Sequence, residues 1–125
     1  MNKEVQKNVF NEPLEDCSND LATGWYRDGC CNTDKTDLGY HTVCVKVTDK
    51  FLLWSKEVGN DLITPHPDFG FPGLKDGDSW CVCATWFARA IDEGAACFIY
   101  LKKTNIKTLD LIPIDKLKKH ELDLS

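Results

Sequence analysis

No apolar run in this 125-residue chain approaches the ~20 residues that a membrane-spanning helix requires. The first fifteen residues lack the apolar stretch and cleavage pattern of a secretory leader, so the expectation is a cytoplasmic protein. Positive charge is not in excess: 15 Lys and Arg stand against 20 Asp and Glu, giving a net charge of −5. Such a balance lacks the basic footprint that nucleic acid or an anionic membrane demands, and neither is expected as a partner. Lysines do gather at Lys102, Lys103 and Lys107 and again at Lys116, Lys118 and Lys119, but nearby acids offset them, as on a solvated face. The chain has no G-x-G-x-x-G, no P-loop and no G-x-S-x-G, which leaves nucleotide binding and serine hydrolysis without support. It also has no C-x-x-C knuckle, although cysteine is plentiful.

The seven cysteines, in a chain without a leader pattern, are expected as thiols in a reducing compartment rather than as a disulfide framework. Cys81 and Cys83 are two apart, which on a strand turns both sulfurs to one face. His41 and Cys44 form H-x-x-C, whereas Cys30 and Cys31 are adjacent, so an extended chain turns only one of them to a shared site. Cys30, Cys44, Cys81 and Cys83, with His41 as a substitute, make up the candidate tetrahedral zinc set. None of the spacings is that of a finger, ribbon or RING. The competing reading is of buried thiols packed as small hydrophobes.

The length suits one domain with a core of its own. Residues 1–8 are polar and expected to fray. Turn formers crowd 8–40, and with Phe10, Trp25, Tyr26 and the cysteines they describe an ordered loop region. Alternation predicts a strand over 42–48, with Val43, Val45 and Val47 on one face. Asp49 is the expected cap of a helix over 50–58, which Gly59 ends. A Pro- and Gly-rich loop over 60–78 leads to a strand over 80–84, then a helix capped by Thr85 and stopped by Gly94. A single helix starting at Ser79 is the alternative there. Strands over 97–103 and 107–112 follow, and Pro113 opens a last helix at its first position. The expected fold is therefore α+β, in the order loop-β-α-loop-β-α-β-β-α.

Two loop regions, 17–41 and 59–78, carry the residues hardest to explain as scaffold. Arg27, Asp28, His41, Asn60 and Asp61 are the candidate ligand-binding residues. If the loops converge, His41 and Asp61 form an acid–base pair, Arg27 meets an anionic substrate, and Cys30 or Cys81 is the nucleophile. Each has a plainer reading: Asp28, Asp37 and Asp61 hold turns through their side chains, Arg27 pairs with one of them, and His41 is structural. The rings of Trp25, Tyr26, Trp54, Phe69, Phe71, Trp80, Trp86 and Phe87 either wall a pocket or fill the core.

The blocks Thr23-Gly-Trp-Tyr-Arg-Asp-Gly-Cys-Cys-Asn-Thr33, His41-Thr-Val-Cys44, Gly59-Asn-Asp-Leu62, Phe71-Pro-Gly-Leu74 and Trp80-Cys-Val-Cys-Ala84 resemble the domain-of-unknown-function 2237 family. The resemblance runs from about Asn8 to Ala90. It implies a small, mostly bacterial single-domain protein and a set of marked positions, but no reaction. Where such proteins carry an Arg-Trp pair after the Cys-x-Cys-Ala block, this chain has Trp86-Phe87. The expectation is a binding or interaction domain whose partner is a small molecule or a protein. The alternatives are an enzyme using a Cys or an Asp–His pair on a small metabolite, and a structural zinc protein.

Overall fold

In the computed structural model, which describes residues 5–123, a three-stranded antiparallel sheet is the frame on which both loop regions hang. Its strands are β1 (His41–Lys46), β2 (Ser79–Cys83) and β3 (Phe98–Ile99), in the order β2-β1-β3. The helices are α1 (Asp49–Glu57), α2 (Ala84–Asp92) and α3 (Ile114–Lys118). The α+β class and most of the expected order stand.

The cap of α1 is Thr48, not Asp49: the Thr48 Oγ1 accepts the Phe51 N–H at 3.2 Å. Asp49 instead places a negative charge in the first turn, where the helix dipole favours it. Phe51, Leu52 and Ser55 face inward, and Gly59, at φ 109°, lets the chain leave. β2 passes directly into α2, with strand-like Cys83 at the cap position in place of the expected Thr85. Ala84, Phe87 and Ala90 bury the inner face of α2.

The expected strand over 107–112 is absent, and the one before it shrinks to two residues. Competing hydrogen bonds explain both. The Asp123 carboxylate accepts the N–H groups of Leu101 and Lys102, 2.9 Å each, which draws the chain off the sheet edge. Asn105 then caps a 3₁₀ segment, Ile106–Asp110, through a bond from the Lys107 N–H. Pro113 sits at the cap of α3 rather than inside it.

The two faces of the sheet are covered differently. Val43, Val45, Trp80 and Val82 point into the main core with Phe51, Phe87 and Leu117. Opposite them, the irregular N-terminal region lies on Cys44 and Cys81, which are cross-strand partners. Two disulfides fasten it there, Cys17–Cys44 and Cys31–Cys81, with Cα–Cα distances of 5.6 and 5.5 Å. The expectation of seven thiols is thereby corrected. Cys44 and Cys81 share one face, and the crossing segment sets a cysteine against each. Cys30, Cys83 and Cys97 lie outside these disulfides. No helix among the described residues is long and apolar enough to cross a membrane.

Candidate functional site

The ladder between β1 and β2 contains one irregularity, and it lies at the site. Val43 pairs with Val82, Cys44 with Cys81 and Val45 with Trp80; an unbroken register would set His41 against Ala84. The register slips between His41 and Val43, so His41 faces Cys83. Thr42, the residue at the slip, is buried, and its hydroxyl lies 2.7 Å from that of Thr108. Bulges of this kind re-aim side chains beside active sites.

The result is a chain of three side chains. Cys83 Sγ lies 3.2 Å from His41 Nε2, and His41 Nδ1 lies 2.6 Å from Asp37 Oδ1. Asp37 is buried, and its Oδ2 accepts from the Thr33 hydroxyl and the His41 N–H, each at 2.8 Å. With the carboxylate fixed in this way, it takes a proton on Nδ1 and leaves Nε2 toward the sulfur. The bond to Cys83 and then that to Asp37 push the His41 pKa up to about 9, against the opposing pull of burial. Trp25 stacks on the imidazole with ring centroids 5.6 Å apart. Gly39 closes the other side: a Cβ there would stand 3.1 Å from Cys83 Sγ.

The chain opens on a cleft of about 520 Å³. Four of the five expected ligand-binding residues line it: Arg27, His41, Asn60 and Asp61. The loop regions 17–41 and 59–78 therefore do converge. Leu62, Phe69, Phe71, Pro72 and Trp80 give the cleft an apolar wall, and Phe71 meets Trp80 edge to face. Arg27 has a left-handed backbone at φ 59°, which is uncommon outside glycine. Its guanidinium makes no hydrogen bond or ion pair among the described residues.

Other expected roles fall elsewhere. Asp61 does not pair with His41; its carboxylate accepts from the Thr64 hydroxyl and then from the Thr64 and Ile63 N–H groups, which lower its pKa to about 2. Asp28 lies outside the cleft and accepts the Cys30 N–H at 3.1 Å. Cys30 is buried, with its Sγ 3.8 Å from the Glu15 carbonyl, and Cys81 lines the cleft as half of a disulfide. The zinc set Cys30, Cys44, Cys81 and Cys83 is thus not brought together: Cys44 and Cys81 are cross-linked to Cys17 and Cys31, and Cys83 faces His41. Two roles escaped the sequence. Asp37 reads locally as a turn residue, and Cys83 reads as half of a Cys-x-Cys pair. The only signal for them was the short Asp37-x-x-x-His41 spacing.

No curated protein matches the chain. A family model described as an uncharacterized protein conserved in bacteria matches residues 7–121. It therefore spans the N-terminal region, both loops of the cleft, and the sheet and helices that carry them, and the chain belongs to that family, DUF2237.

Proposed function

We propose that the protein is a thiol-dependent enzyme that transfers or hydrolyses an acyl group on a small substrate bearing an anionic group beside an apolar one. The observation that carries this reading is the hydrogen-bonded chain Cys83–His41–Asp37 opening on the cleft. His41 Nε2, 3.2 Å from Cys83 Sγ, is placed to exchange a proton with the reacting groups at the sulfur. In the proposed reaction Cys83 Sγ adds to a carbonyl carbon, and the His41 proton passes to the departing group, leaving a thioester. His41, now neutral, takes a proton from water or an acceptor, which attacks the thioester and frees the sulfur. The N-terminus of α2 follows Cys83 directly; the Tyr40 carbonyl takes the Ala84 N–H, but the Thr85 and Trp86 amides behind it have no acceptor within the helix, so an oxyanion forming there meets favourable dipoles. Arg27, with no ion pair among the described residues, supplies the cation for the substrate's anion, and Phe69, Phe71 and Trp80 the wall for its apolar part.

Binding without chemistry is the simpler role, but it gives no reason to aim a buried carboxylate through an imidazole at a free thiol. Incubation with a panel of activated esters and thioesters tests the proposal. The expected result is an acylated protein in the mass spectrum, mapped to Cys83 and absent in Cys83→Ala. Carboxylated esters should be preferred, with the preference lost in Arg27→Ala. A panel that leaves Cys83 unmodified and turns over no faster than with Cys83→Ala would overturn it.

A further inference from the structure

Beneath the cleft lies a second cluster that the proposed chemistry does not use. Cys17, Cys31, Cys44 and Cys81 are all at most 3% exposed and form a cluster apart from the main core. Cys44 and Cys81 sit opposite each other on β1 and β2, so their Cβ atoms are about 5 Å apart across the ladder. The other two arrive from the N-terminal region. The sulfurs of Cys17, Cys31 and Cys81 lie within 4.8 Å of one another, although Cys17 belongs to one disulfide and the other two form the second. The Cys44 sulfur is bonded to that of Cys17, so all four crowd one small volume. In a tetrahedral zinc–thiolate centre, Zn–S bonds of about 2.3 Å put the sulfurs about 3.8 Å apart. Opening the two disulfides therefore leaves three thiols already near ligand spacing, with Cys44, the disulfide partner of Cys17, beside them to turn in as the fourth. Four soft sulfur donors with no nitrogen or oxygen among them suit zinc rather than magnesium or calcium.

We propose that this cluster is a two-state staple: two disulfides when oxidised, and a tetrathiolate zinc site when reduced. In the first step two molecules of a small dithiol give up four electrons and four protons, becoming cyclic disulfides while the protein gains four thiols. In the second, Zn²⁺ forms four Zn–S bonds and four protons leave to solvent. Both states hold the N-terminal segment to β1 and β2, and with it Trp25 and Arg27 at the cleft.

The test uses the full chain, reduced anaerobically with a dithiol, freed of reductant and titrated with ZnCl₂. The expected result is one zinc bound per chain, released by a mercurial reagent that blocks thiols. Cys17→Ser and Cys31→Ser should each weaken binding at least tenfold, whereas Cys30→Ser, Cys83→Ser and Cys97→Ser should leave it unchanged. Should the first two variants fail to fold, substitution of Co²⁺ into the wild-type chain decides. Sulfur-to-cobalt charge transfer together with the intense visible bands of a tetrahedral four-sulfur centre supports the site. A reduced, folded chain that binds no zinc overturns the proposal. So does zinc lost with Cys83→Ser, or a cobalt spectrum of mixed nitrogen and sulfur ligation. None of these results depends on acyl transfer, so the two readings stand or fall separately.

Discussion

With both Asp37 oxygens engaged, one by Thr33 and the His41 backbone and the other by the ring, the imidazole is left a single orientation. That orientation accounts for the contrast among the three thiols outside the disulfides. Cys83 is partly exposed beside a cation, whereas Cys30 and Cys97 are buried, and burial pushes the Cys97 thiol far up. Alkylation with limiting iodoacetamide near pH 7 should label Cys83 first, by at least tenfold over the other two, as mapped by peptide mass spectrometry. His41→Ala should slow that labelling about tenfold or more, and Asp37→Asn by less, since the ring would persist but lose its anchor. Equal labelling of the three thiols would remove the basis for a nucleophile. The same proton governs stability. Folded His41 keeps it to about pH 9, while an unfolded histidine releases it near 6.5. Its pairing therefore stabilises the fold fully below about pH 6.5, and that contribution fades as pH rises through 9. Urea midpoints should fall over this window for the wild type and less steeply for His41→Asn; parallel curves would show that the pairing contributes nothing.

At the scale of elements, the slip at Thr42 and the turns beside the site do the positioning, and glycine separates their roles. Gly24 has φ 94°, and a Cβ there would stand 2.3 Å from the Cys30 carbonyl oxygen. Backbone blocks that position, so Gly24→Ala should cost about 2 kcal/mol or more, read as a lowered thermal midpoint. At Gly39 the obstacle is the Cys83 sulfur at 3.1 Å, which can yield by a few tenths of an ångström. Gly39→Ala should leave the midpoint nearly unchanged while altering the Cys83 alkylation rate severalfold. A large melting shift without a rate change would mean that Gly39 serves the fold alone. The same elements mark what was legible. β1, α1, β2 and α2 follow from valine alternation, three- and four-residue spacing and the glycines that stop them. The choice of Arg27, His41, Asn60 and Asp61 as candidates followed from the composition of the two loops, whereas their convergence was left open. The pairing of His41 with Cys83 did not, because it depends on a one-residue slip that leaves no mark on local composition. The last expected strand failed for a related reason: Asp123, far along the chain, takes the amides a strand would have used.

Across the whole molecule, the long N-terminal region has no helix or strand of its own among the described residues and depends on the sheet for its place. Between Cys17 and Cys31 most of its backbone bonds are internal, such as Cys17 N–H to the Gly29 carbonyl and Gly29 N–H to that of Thr23. Its attachments to the sheet there are the two disulfides, the Thr23 hydroxyl accepting the Cys81 N–H at 2.8 Å, and Trp25 on His41. The cross-links close loops with sequence separations of 27 and 50, for which chain entropy assigns about 3.6 and about 4.1 kcal/mol. Because the loops interleave, these contributions do not simply add. Reduction in the presence of a metal chelator should therefore lower the thermal midpoint by roughly 15–30 °C, about 4–7 kcal/mol for a domain of this size. The effect should reach the cleft, since a loosened segment withdraws Trp25 from His41 and Arg27 from the wall. The pair variant Cys31→Ala with Cys81→Ala isolates this. It leaves Cys17–Cys44 intact, but it frees the end of the segment nearest Trp25 and Arg27. Its Cys83 alkylation should depart from the wild-type rate more than that of Cys17→Ala with Cys44→Ala. If both pair variants keep the wild-type melting point and Cys83 rate, the staples are incidental and the segment is held by its packing alone.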